Sequence, residues 1–168
     1  MKRTEVFVGL GSNIGDRALW LEKARAAIHL RLGRLTNCSS VVETAPVGMA
    51  PDTPYFLNQV VGVELSCSPL EAMQILLSIE EGLGRQRNKA DSELAGATGG
   101  ERWASRTIDC DLLLWPDFEC STPALTLPHP RLLERDFALG PLAEIAPNVE
   151  IPGTQITAAE AFKHMDKP

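Results

Sequence analysis

Arg102-Trp103-Ala104-Ser105-Arg106-Thr107-Ile108-Asp109-Cys110-Asp111-Leu112-Leu113-Leu114 sets two carboxylates two residues apart inside an otherwise apolar run that ends at Trp115. The run reads as a β-strand, and side chains on a strand alternate faces. Ile108, Cys110, Leu112 and Leu114 then share a buried face, while Thr107, Asp109, Asp111 and Leu113 share the other. Like charges side by side disfavour each other, so a positive group is expected between the aspartates. Arg102 and Arg106 upstream are candidates, and so is a hard divalent cation such as Mg²⁺, which takes oxygen ligands. The alternative is an edge strand carrying two solvated aspartates, although Asp is depleted in strands.

Outward from that strand, the chain reads as a single domain over residues 1–168. Residues 5–10 form a first strand and residues 11–16 carry turn chemistry. A helix follows over 16–32, with Asp16 as N-cap and Gly33 as stop. Strands are expected over 38–43 and 55–65, separated by a loop that contains Pro46, Pro51 and Pro54. Ser68-Pro69-Leu70-Glu71 is a capping box with proline at the first helical position, and opens a helix to about residue 83. The order β-α-β-β-α-β is the ferredoxin-like α+β arrangement, an antiparallel sheet with two helices on one face. Short helical pieces follow Pro128, and a helical tail over 157–165 is expected to pack on the outside. Residues 88–100 are polar and rich in Ala, Gly and Ser, the composition of a mobile loop. Flanked by arginines and placed directly before the carboxylates, that loop reads as a lid over an anionic substrate, or as an insertion with no role.

The net charge of −6 argues against a general nucleic-acid binder, because phosphate backbones call for a basic face. The apolar run after Met1 is too short for a signal peptide, and no segment approaches the length of a membrane span. Cys38, Cys67, Cys110 and Cys120 show neither C-x-x-C pairing nor zinc spacing. They are expected as reduced thiols in a cytoplasmic protein.

Three further motifs stand out. Gly9-x-Gly11-x-x-x-Gly15 misses the dinucleotide fingerprint by one residue and reads instead as a tight strand-to-helix turn. In Pro128-His129-Pro130-Arg131-Leu132-Leu133-Glu134-Arg135-Asp136-Phe137, a helical turn would put Arg131 and Arg135 on one face; the plainer reading is a solvated helix. Phe56 and Asn58 share a strand face and could offer a flat ring an aromatic plate and an amide, or be a core phenylalanine and an edge asparagine.

Together these pieces closely resemble the 6-hydroxymethyl-7,8-dihydropterin pyrophosphokinase family. The segments that carry the resemblance are Gly9 to Asn13, Glu43 to Gly48, Phe56 to Asn58, Glu80 to Arg87, Arg102 to Leu113 and Pro128 to Phe137. The resemblance implies transfer of the β,γ-diphosphate of ATP to the pterin hydroxymethyl group, with release of AMP, in tetrahydrofolate synthesis. It implies that Asp109 and Asp111 hold two Mg²⁺ ions and that Arg85 and Arg106 join them as catalytic residues. ATP would meet Glu80, Arg85, Arg87, Arg102, Trp103, Arg106, Ile108, His129 and Arg135. The pterin would lie between Phe56 and Phe137, with Thr44, Pro46, Val47, Asn58 and Asp109 around it. It further implies a monomer that takes small molecules and neither nucleic acid nor membrane. Three departures are visible: Cys110 stands where the family usually has an aliphatic residue, Ala124 where some members have an arginine, and the loop from Asn88 to Glu101 looks longer than in compact members. The remaining alternatives are another two-metal nucleotidyl or phosphoryl transferase and a non-catalytic ferredoxin-like binding module.

Overall fold

The computed structural model describes residues 2–46, 48–84 and 107–165. Its centre is β1 (Thr4–Ser12), paired antiparallel on one side with β4 (Phe56–Leu65) and on the other with β5 (Asp109–Leu114). The outer edge of β4 carries β2 (Arg34–Cys38) along its C-terminal half and β3 (Val42–Thr44) along its N-terminal half. The sheet order β2-β4-β1-β5, with β3 beside β4, is the expected ferredoxin-like α+β sheet.

The single strand expected over 38–43 is two strands with a break at Ser39 and Ser40. Polar side chains there replace the regular ladder. Ser39 Oγ accepts the Val60 N–H at 2.9 Å, while the Ser40 N–H and hydroxyl donate to Glu144 at 3.0 and 2.6 Å.

Helix α1 (Arg17–Arg31) opens as expected, Asp16 accepting the Leu19 N–H at 3.1 Å. It stops at Gly33, where any Cβ would come within 2.3 Å of the Glu64 carbonyl oxygen; only glycine lets the chain pass β4 so closely. Helix α2 (Pro69–Gly82) carries the complete capping box: Ser68 N–H to Glu71 at 2.8 Å and Glu71 N–H to Ser68 Oγ at 3.3 Å. Leu21, Ala24 and Ile28 of α1 and Ala72, Leu76 and Ile79 of α2 pack on Val6, Val8, Leu10, Val61, Val63, Cys110 and Leu112 of the sheet.

The other face is a second core. After the short ribbon β6 (Cys120–Ser121) and β7 (Thr126–Leu127) and a 3₁₀ turn at Leu132–Glu134 come α3 (Asp136–Ile145) and α4 (Ala158–His164). Leu139 and Leu142 of α3 and Ala158 and Ala161 of α4 pack with Phe7, Val60, Leu113 and Leu114. The C-terminal helices therefore cover a sheet face instead of decorating the outside. Leu114, expected beside Ile108, belongs to this second core because the β1–β5 register slips by one residue between Phe7 and Val8. A bulge of this kind turns consecutive residues to the same side.

Candidate active site

The second core fills only one end of its sheet face. At the other end lies a cavity of about 620 Å³, bounded by β1, β3, β4, β5 and the start of α3. Its floor is explained by β1, which runs to Ser12 rather than ending at residue 10. Gly9 and Gly11 are therefore strand residues and not part of the turn; of the three glycines only Gly15, with φ of +68°, is in a turn conformation. Gly11 pairs with Asp109 on one side and Asn58 on the other; Gly9 pairs with Asp111 and Val60. Two residues without side chains on one face of a central strand leave a trough. A Cβ at Gly11 would sit 3.3 Å from Asn58 Oδ1 and 3.9 Å from Phe56 Cδ1.

One wall of the trough carries Asp109 and Asp111, both partly exposed. The opposite wall carries Thr44, Phe56 and Asn58. Asn58 is buried, and its Nδ2 donates to Thr44 Oγ1 at 2.7 Å. The third side is the entry to α3, with Arg131, Arg135 and Phe137. Arg135 links the walls: its Nη1 lies 3.8 Å from Asp111 Oδ2, and its guanidinium carbon lies 5.7 Å from the centre of the Phe137 ring. An arginine held between a carboxylate and an aromatic face keeps a fixed orientation, which suits it to an anionic ligand.

Two residues outside the cavity steady the carboxylate wall. Glu80 of α2 is buried and accepts the Cys110 N–H at 2.7 Å, gripping the backbone between the two aspartates. The His129 N–H donates to the Leu113 carbonyl at 2.7 Å, and its Nδ1 accepts the Arg131 N–H at 3.2 Å.

The donor chemistry fits a hard cation. Asp109 and Asp111 offer carboxylate oxygens alone, and no cluster of three or more His, Cys, Asp or Glu side chains suited to a metal occurs among the described residues. Mg²⁺ is commonly held in this way, by one or two carboxylates with the remaining positions left to water and phosphate oxygens.

A sequence profile of the 7,8-dihydro-6-hydroxymethylpterin-pyrophosphokinase family matches residues 7–147. The chain belongs to that family. It is 40% identical over 155 residues to the 2-amino-4-hydroxy-6-hydroxymethyldihydropteridine pyrophosphokinase of Bacillus subtilis, covering 92% of this chain and 83% of that protein. The enzyme of the same name from Methylorubrum extorquens is 37% identical over 164 residues, 97% of this chain and 94% of that one. In three dimensions the chain resembles the HPPK-DHPS protein of Plasmodium falciparum, with a TM-score of 0.73 at 16% identity. It covers 96% of this chain and 43% of that longer one.

Of the residues singled out by the pyrophosphokinase resemblance, the cavity brings together Thr44, Phe56, Asn58, Asp109, Asp111, Arg135 and Phe137. Glu80 and His129 stand behind its wall. Ile108 is fully buried in the first core, so its side chain is closed to any ligand. Pro46 lies on the β3–β4 loop outside the lining, whereas its neighbours Ala45, Gly48 and Met49 are part of it. Val47, Arg85, Arg87, Arg102, Trp103, Arg106 and the expected lid over 88–100 lie outside the described residues. The sequence reading missed Gly9 and Gly11 as pocket residues. Their spacing of two was the available signal, since it puts both on one face of a strand.

Proposed function

We propose that this chain transfers the β,γ-diphosphate of ATP to the hydroxymethyl oxygen of 6-hydroxymethyl-7,8-dihydropterin in folate synthesis, releasing AMP, and that the trough above Gly9 and Gly11 is where transfer occurs. The observation that carries this reading is the division of the trough. Carboxylates and Arg135 stand on one side, an amide and an aromatic ring on the other, and nothing on β1 intervenes. A flat acceptor would lie over the glycines with its ring against Phe56 and Phe137. Thr44 and Asn58 would read its polar edge, and the attacking oxygen would point toward Asp109.

Phosphoryl transfer depends on positioning and charge neutralisation more than on covalent participation by the protein. Asp109 and Asp111 would hold Mg²⁺, two ions in this reading; when bound, the metal offsets the charge of the phosphates. Arg135 meets the phosphate chain from the α3 side. Arg85, Arg87, Arg102 and Arg106 would add positive charge around the triphosphate, and Trp103 would meet ATP. Glu80 and Ile108 contribute through the β5 backbone that they anchor, and His129 would meet the nucleotide from behind the carboxylate wall.

The chain acts as a monomer on small molecules, without nucleic acid, and resides in the cytoplasm. Its four cysteines are thiols, which suits a reducing compartment, and among the described residues no helix is long and apolar enough to cross a membrane. The test is to incubate the protein with Mg²⁺, ATP and 6-hydroxymethyl-7,8-dihydropterin and follow AMP and the pterin diphosphate. AMP that appears only when the pterin is present supports the assignment. A folded protein that forms no AMP overturns it.

A further inference from the structure

Arg17 occupies the first position of α1, whose first turn contains no acidic residue. A cation there opposes the helix dipole, so its placement calls for a compensating partner. The partners come from both stems of the loop between β3 and β4. Arg17 Nη1 lies 2.8 Å from Glu43 Oε2 and donates to the Tyr55 carbonyl oxygen, also at 2.8 Å. Asn13 Nδ2 adds a longer contact to the Pro54 carbonyl at 3.5 Å. Glu43 immediately precedes Thr44, and Tyr55 immediately precedes Phe56, the two residues that the β3–β4 register places opposite one another at the cavity. One guanidinium therefore joins the two ends of the loop from outside the cavity, whose lining includes neither Arg17, Glu43 nor Tyr55.

We infer that Arg17 is a positioning residue that clips this loop and so sets the acceptor half of the cavity without touching the acceptor. The inference rests on the proposed pterin site for its kinetic consequence, but the clip itself does not. β3 has only three residues and makes its ladder with β4 alone, so its grip on β4 is weak without the clip. Thr44 reaches Asn58 through one hydrogen bond at 2.7 Å, and a frayed stem would let that bond break.

The test compares Arg17→Ala and Arg17→Lys with the wild type. Arg17→Ala is expected to raise the KM for the pterin about fivefold, the effect of a part-exposed ion pair worth roughly 1 kcal/mol. The KM for ATP and kcat should stay within about twofold, because the carboxylate wall is untouched. Arg17→Lys, which keeps the charge on a compact and more strongly hydrated ammonium, should fall between the two. Amide hydrogen exchange over residues 43–56 should quicken in Arg17→Ala while exchange in α4 stays unchanged. Unchanged exchange over 43–56 overturns the clip whatever the enzyme does. Faster exchange with an unchanged pterin KM, or with both KM values raised alike, overturns its role in the acceptor site. A wild type that forms no AMP defeats the functional reading alone, and the exchange experiment still decides the clip.

Discussion

The two faces of the sheet are built from the same three central strands and are used differently. Toward α1 and α2, β1 presents Val6, Val8 and Leu10, β4 presents Val61 and Val63, and β5 presents Cys110 and Leu112, all buried. Toward α3, the alternate residues of the same strands are Phe7, Gly9 and Gly11; Asn58 and Val60; Asp109, Asp111 and Leu113. Apolar side chains continue as far as Phe7, Val60 and Leu113, where α3 and α4 close over them. Beyond that line the residues become glycine, amide and carboxylate, and the cavity begins. One strand thus serves stability through one set of side chains and function through the other. What separates the two roles is a single step along the strand.

The comparison can be broken from either side. The largest effect is expected at the carboxylate wall. Asp109→Ala should slow AMP formation by at least about 1000-fold, the scale of losing the main electrostatic anchor of a phosphoryl transfer. Its thermal midpoint should stay near the wild-type value, because Asp109 contributes no apolar packing. Rates within about tenfold of wild type would remove Asp109 from the site.

The complementary change is Leu76→Ala, a fully buried side chain on the α2 face. A denaturant titration should register a loss of about 3 kcal/mol from the cavity it leaves. The pterin KM of the fraction that remains folded should not move. A shift in that KM would mean that the two faces are coupled more strongly than their separate packing implies.

The smallest effect is a pH dependence of the helix caps. The Ser68 N–H, followed by its hydroxyl, holds the Glu71 carboxyl below the usual range; the Thr157 N–H and hydroxyl do the same for Glu160. A carboxyl whose pKa is lowered by folding stabilises the native state above its unfolded value, near 4.3 for Glu, and loses that contribution as pH falls through the lowered native value. The melting temperature of Glu71→Gln should therefore lie slightly below wild type at pH 7, and the gap should close as pH falls below about 4. A gap that stays constant across that range would assign the difference to something other than ionisation of Glu71.

Local rules carried the fold a long way. The Asp16 cap, the Ser68–Glu71 box, the Gly33 stop and the alternation from Ile108 to Leu112 are short-range signals, and each stands where the sequence puts it. The misreadings arise where distant segments decide. Ser39 and Ser40 break an apparent strand because Val60 and Glu144 offer them partners 21 and 104 residues away. Leu114 changes cores because β5 bulges against β1. The carboxylate pair and the Phe56-x-Asn58 face were legible as candidates from period-two spacing alone. Their roles came from the family resemblance. Gly11 was read as a turn residue because glycine after a short apolar run usually ends a strand, and Gly9, inside the expected strand, was not singled out as a pocket residue. Only pairing with Asp109, Asp111 and Asn58 reveals that the missing side chains make the cavity.

The most direct measurement follows from that floor. Titration of 6-hydroxymethyl-7,8-dihydropterin into wild type and into Gly11→Val, by calorimetry and beside a thermal melt, tests whether the bare face of β1 is the acceptor's seat. The account predicts that valine, tolerated in a strand but projecting toward Asn58 and Phe56, weakens pterin binding at least about tenfold, or roughly 1.4 kcal/mol, with the melting temperature and MgATP binding nearly unchanged. Pterin binding within about twofold of wild type in a folded Gly11→Val protein would contradict it.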